Sequence, residues 1–324
     1  MNASKSSQAR VVARLGWLVG GAVLVAVILV AFSVSEARVF SRLLTGADPR
    51  FLLPALLLQG GTYFSQAEIF GTAPRAAGFP VPRSRLLELS LSKLFLDQTL
   101  PTAGLGSTAV VAAALVRCGV PRPAVAAGAV LNFVSYQAAY GLMLLAALAI
   151  FAMLRGAGLV LVLAIGLLSV FSLSLAFALL SLAGRRPAPG SALPRLPLVR
   201  GLLSFIADAD VALTRGPRWL AESVLWQMLI FLLDTGTLWL VIRSLGAVSP
   251  PVVVFTSLMI SSLFRVVGFL PGGLGTYEAS SVLTLKLMGV GVPIALAATL
   301  IFRLLTFWAP MLPGFWFSRR ALGR

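Results

Sequence analysis

Glu278 stands three residues after Gly275, and Arg265 and Arg303 lie in the apolar stretches before and after it. A carboxylate and a guanidinium in such surroundings have two uses. They can pair with each other, or the arginine can hold a phosphate, whose oxygens match its paired N–H donors. Asp234, within LLDTGTLW, can pair with either arginine. Glu278 can hold a cationic group, or it can cap the helix that begins after Gly275. The residues just before it, Pro271, Gly272, Gly273 and Gly275, break a helix and free backbone N–H groups, which are themselves anion ligands. Pro101, Gly104 and Gly106 offer the same chemistry earlier in the chain.

Other chemistries are excluded by composition. There is no histidine and one cysteine, Cys118, so a disulfide within the chain is impossible and histidine acid–base catalysis is absent. A Cys/His metal site would have Cys118 as its single ligand and is not expected. No phosphate-binding loop of the nucleotide-hydrolase type is present, and no cofactor is expected. Cys118 reads as a small buried residue.

The elements that must position these residues are membrane helices. Of the 324 residues 59% are hydrophobic, and the mean hydropathy is +0.97. A water-soluble fold would lack polar surface at that composition. The apolar residues run continuously, not in alternation, which favours helices over a membrane barrel. Eight segments follow, at 15–34, 51–70, 86–118, 123–153, 157–183, 219–242, 252–288 and 293–317. The first has a basic start (Lys5, Arg10, Arg14) and small residues at Ser33 and Ser35, like a secretory signal. Its apolar core is longer than the ~7–15 residues of such signals, so it reads as a retained helix. Region 184–218 is a polar loop followed by a short helix, lying on the membrane surface or simply connecting. An ionisable side chain deep in any of these segments costs roughly 2.5–3.5 kcal/mol on insertion scales, so it faces a cavity or a partner. Glu68 and Asp97 are intermediate cases, while Glu88 and Glu222 lie near segment ends, within reach of water, and are given no role.

Two segments are interrupted, at Leu100-Pro101 and at Leu270-Pro271. Each becomes a re-entrant pair of half-helices, all-α like the rest, giving about six full crossings and two broken pairs. With the N-terminus inside, most of the basic residues fall on the inner side, among them Arg75, Arg83, Arg85, Arg117, Arg122 and Arg185. Both termini are then cytoplasmic. The +16 net charge reflects this topology and anionic headgroups, and nucleic acid is not expected as a partner.

The two interruptions belong to a longer internal similarity. Leu100-Pro101 matches Leu270-Pro271 at an offset of 170, Gly104-Leu105-Gly106 matches Gly273-Leu274-Gly275 at 169, and Gly119-Val120 and Pro123 match Gly289-Val290 and Pro293 at 170. The chain reads as one membrane domain with repeat halves at about 51–153 and 219–317, linked by 157–183 and the cytoplasmic loop 184–218. Three crossings between the breaks turn the second copy over. Inverted repeats with broken helices at the midplane are a transporter architecture.

The stretch LPGGLGTYEASSVLTLKLMGV, with FRLLTFWAPMLPG and LSKLFLDQTLPTAGLGS, resembles the transmembrane region of the lysylphosphatidylglycerol synthase/flippase family. That family's Pro-Gly-Gly-(Leu/Ile)-Gly motif followed by Glu falls on Pro271, Gly272, Gly273, Leu274, Gly275 and Glu278, and its last-helix Arg on Arg303. The first half departs from it. Thr102 and Ala103 stand where Gly and a basic residue are usual, and Ser107 where Glu is usual. The resemblance implies lipid binding and headgroup transfer across the cytoplasmic membrane, with no aminoacylating domain in this sequence. Its expected partners are membrane lipids (an anionic or aminoacylated phospholipid, or a lipid-linked sugar), and an envelope-synthesis enzyme is a second possible partner. The chain is not read as an enzyme. The competing readings are an accessory scaffold for an envelope-lipid or glycosylation enzyme, and an integral-membrane transferase.

Overall fold

The computed structural model describes residues 46–99, 104–156, 158–185, 197–267 and 275–322. The first apolar segment, together with Pro101, Pro271, Gly272 and Gly273, lies outside the described residues.

Every regular element among the described residues is helical. In chain order they are α1 (Pro49–Ala76), α2 (Arg83–Thr99), α3 (Leu105–Arg117), α4 (Arg122–Arg155), α5 (Leu159–Leu182), α6 (Pro197–Ala207), α7 (Val211–Arg215), α8 (Pro217–Ser244), α9 (Pro251–Val267), α10 (Thr276–Leu287), α11 (Val292–Arg303), a π turn at Leu304–Trp308 and α12 (Ala309–Leu322). Four stretches among the described residues are long and apolar enough to cross a membrane: Arg122–Met153, Val162–Leu182, Pro217–Ser244 and Val292–Arg320. The last of these runs through α11, the π turn and α12. Helix α5 shows why lipid is the fitting solvent. Leu163, Leu167, Val170, Phe171 and Phe177 are all exposed, an apolar face that a water-soluble helix would bury. At 28 residues α1 is long enough to cross, but it devotes buried positions to Gln59, Thr62, Ser65, Glu68 and Thr72.

The described chain divides into two compact units. One contains Thr62–Ser90 and Thr108–Phe231. Its core is built largely from small aliphatic residues of α3 and α4, such as Val111, Ala114, Ala124, Ala127 and Val130, with Phe70 and Leu89 packed on them. Small residues let helices approach closely where no water drives them together. The connecting segment packs here too. Ile206, Ala209 and Leu213 enter this core, and Asp210 N–H donates to the Pro123 carbonyl at 3.2 Å. Asp210 also caps α7, its Oδ1 accepting from Ala212 N at 2.9 Å.

The other unit contains the described residues up to Gly61, with Leu91–Ser107 and Leu232–Ser318, so both helix breaks fall inside it. Helix α9 packs on α10, and α10 on α11. Hydroxyl groups hold these seams. Thr284 Oγ1 lies 2.6 Å from Ser257 Oγ and 2.9 Å from Ser261 Oγ, and Ser281 Oγ lies 2.9 Å from Thr299 Oγ1. Such pairs are the glue of helices in an apolar solvent, because each satisfies a group that lipid cannot. Helix α12 meets α2 at Gly314, where an added Cβ would stand 2.6 Å from the Leu91 carbonyl oxygen.

Candidate functional site

The second break ends at Gly275, with φ of +81°, a conformation that costs any residue with a Cβ. Helix α10 starts at the next residue, and its third position is Glu278. The Glu278 carboxylate turns back to accept from Gly275 N–H at 2.6 Å through Oε2. This satisfies one of the backbone donors that a helix start leaves open. Oε1 accepts from Arg303 Nε at 2.6 Å. The Arg303 guanidinium is also enclosed by rings, 4.4 Å from the Phe307 centroid and 5.2 Å from that of Tyr277. Only 1% of the Glu278 side chain and 6% of that of Arg303 is exposed. Of the two uses of Glu278, the geometry shows the capping one, with Arg303 as its counter-ion.

Arg303 also ends the regular part of α11. The π turn follows it, with Ala309 N–H reaching the Leu304 carbonyl, and Pro313 lies inside α12. Single π turns in α-helices recur at functional sites.

The first break ends at Gly104, again with φ of +81°, and α3 starts at Leu105. The expected pairing of Gly106 with Gly275 is therefore displaced by two residues. Gly106 lies inside α3, and Gly104 makes the turn. Farther along, Gly119 follows α3 with φ of +86°, and Gly289 follows α10 with φ of +97°. With the turn at Gly104, Ser107 occupies the helix position that Glu278 holds in α10.

The carboxylate at the first break comes from the half-helix before it. Asp97 Oδ1 accepts from the Ser107 hydroxyl, and an added Cβ on Gly104 would lie 3.6 Å from the same oxygen. Ser107 Oγ is also 2.8 Å from the Gly104 carbonyl. Asp97 Oδ2 pairs with Lys93 Nζ at 2.5 Å, one turn earlier on α2. The sequence named Asp97 only as an intermediate case and gave Lys93 no role. The i, i+4 spacing was the signal available for that pair.

The remaining expectations divide. Asp234 is partly buried in α8. Arg265 falls in α9. In the other unit, Glu68 is buried and accepts from Arg83 Nε at 2.9 Å and Arg75 Nη1 at 3.0 Å, and Arg75 also pairs with Glu222. Glu88 pairs with Arg85. These contacts place Glu222 in an ion pair that the sequence had not assigned, because its partner lies 147 residues away. Cys118 is exposed, contrary to the buried reading. It falls in the turn after α3, where the chain reverses at Gly119.

The long apolar helices with unburied faces define an integral membrane protein. The chain belongs to the family described as lysylphosphatidylglycerol synthase TM region, whose model matches residues 17–314. Membership places it among membrane proteins of lipid modification or translocation. No curated protein sequence matches the chain.

Proposed function

We propose that the protein moves a phospholipid or lipid-linked headgroup across the cytoplasmic membrane. The observation that carries this reading is the pair of helix breaks, gathered in one unit, each with a carboxylate–cation pair beside it. A broken helix at membrane depth holds backbone and charged groups that a polar headgroup can exchange with, while the acyl chains stay in lipid. The architecture that suits this role is an inverted repeat of about six crossings and two re-entrant pairs, with both termini cytoplasmic. Backbone amides of the glycine-rich turns, with Arg265, hold a phosphate. Glu278 and Arg303 keep the second turn in shape. The chain binds and moves its lipid without transforming it.

The test is leaflet exchange in liposomes holding purified protein, with a panel of lipids bearing native headgroups. Exchange that depends on protein, and that falls when Glu278 and Arg303 are replaced together by Gln and Met in a protein that stays folded, supports this reading. Folded protein that exchanges no lipid in the panel sinks it and moves the weight to an accessory scaffold.

A further inference from the structure

Away from both breaks, four charged side chains form one network in the unit that holds Thr62–Ser90 and Thr108–Phe231. Glu68, toward the end of α1, is 5% exposed and has a cation on each oxygen. Arg83 Nε donates to Oε1 at 2.9 Å, and Arg75 Nη1 to Oε2 at 3.0 Å. Arg75 also reaches with Nη2 to Glu222, near the start of α8. The network is lopsided. Its buried acid has two cations, so one of them can change partners without stranding a charge. Arg75 and Glu222 keep 40% and 27% of their side chains exposed, so each can exchange the other for water. A sealed pair with one partner on each side has no such freedom. The contact also has little packing behind it. In this unit α1 and α8 meet through side-chain ends, Arg75 on Glu222 and the Phe64 ring edge-on to Trp226 at 6.0 Å. Residues of the same two helices in the other unit pack closely: an added Cβ on Gly61 would stand 3.1 Å from Leu233 Cδ1, and one on Gly236 2.8 Å from Leu58 Cδ1.

We propose that the Arg75–Glu222 pair is a latch, which holds the start of α8 against the end of α1 and lets it swing away when the pair parts. Glu68 is the fixed post. It keeps Arg75 and Arg83 in place whether the latch is open or closed, so opening exposes no unpaired buried charge. The open form admits water to the face of α1 between Glu68 and Arg75. Thr72 lies on that face at helical spacing from both and is fully buried, with its hydroxyl donating to the Glu68 carbonyl at 3.0 Å. The latch rests on the translocation reading for its purpose, as a gate on a polar path, and on accessibility alone for its test.

The test uses the full chain in nanodiscs, with Cys118→Ser to remove the native thiol and Thr72→Cys as reporter, and follows the rate of labelling by a soluble maleimide. Adding Glu222→Gln raises that rate about fivefold, the factor that a partly exposed pair of about 1 kcal/mol supplies. Raising the salt concentration speeds labelling while Glu222 is present and has little effect once it is Gln, because salt screens the pair. Arg83→Gln removes a cation from Glu68 and leaves the latch, so its rate stays at that of the parent. If Arg83→Gln and Glu222→Gln speed labelling equally, the network is general glue and the latch is overturned. A second measurement covers a reporter that misfolds: spin labels at Ala77 and Ala221, without Thr72→Cys, move apart when Glu222→Gln is added. Labelling and separation both unmoved by Glu222→Gln in folded protein overturn the latch. Opening seen by either measurement, in a protein that exchanges no lipid between leaflets, sinks the translocation reading and leaves the latch standing.

Discussion

The two breaks solve one problem in two ways. Each must restart a helix after a left-handed glycine, and each brings a carboxylate to the positive end of the new helix. At the second break the acid is part of that helix and the cation comes from the next one, so two helices lock at Glu278. At the first, acid and cation both sit on the half-helix before the break, and a serine hydroxyl carries the connection across. The first arrangement needs only one helix to keep its pair, so it can stay open on one side. The second needs all its neighbours and is closed. Ion pairs of similar composition are thus sealed at one place and partly open at another.

Breaking the sealed pair is expected to have the largest effect. Glu278→Ala leaves the Arg303 guanidinium buried without its partner, a loss of about 3–5 kcal/mol in unfolding stability in detergent. The double variant Glu278→Gln with Arg303→Met recovers much of it, because the desolvated charge is gone. Next comes Gly314→Ala. Its Cβ would stand 2.6 Å from the Leu91 carbonyl oxygen and 2.7 Å from Phe95 Cβ, so α2 must shift, at about 1–3 kcal/mol. Gly104→Ala and Gly275→Ala each force a side chain into the left-handed region and are expected to cost roughly 1–2 kcal/mol. Thermal unfolding should give similar losses for the two, and a large difference would break their equivalence. The smallest stability effect is expected from Asp97→Asn, about 1 kcal/mol or less for a partly exposed pair. A loss equal to that of Glu278→Ala would erase the contrast between a closed and an open break.

Much of the helical framework was legible in the sequence. The apolar runs 123–153 and 219–242 became α4 and α8 with boundaries within two residues, because continuous apolarity at bilayer length has few other outcomes. The run 293–317 held its extent and concealed the π turn, since Leu-Leu-Thr-Phe-Trp carries no residue that demands one. At the second break the family motif led directly to Glu278 and Arg303, and their pairing was among the possibilities the sequence left. The first break was misaligned because two Gly-Leu-Gly triplets invite superposition, while the turn follows the glycine with positive φ. The contact between Asp97 and Ser107 was missed for a related reason. Ser107 stood out as a missing carboxylate, and the replacement came from ten residues upstream, on another element. Partners such as Arg75 and Glu222 are brought together only by tertiary packing.

The π turn between α11 and α12 sets a phase. An α-helix advances by about 100° per residue, so positions eleven apart return to nearly the same side. Arg303 and Gly314 are spaced in that way, and an unbroken helix would send both toward one neighbour. The wider turn takes up roughly one extra residue and swings the second half by about a quarter of a revolution. One rod can then serve two clients, with Arg303 turned to α10 and Gly314 to α2. A single-residue deletion within 304–308 would restore the regular winding and force the helix to choose between them.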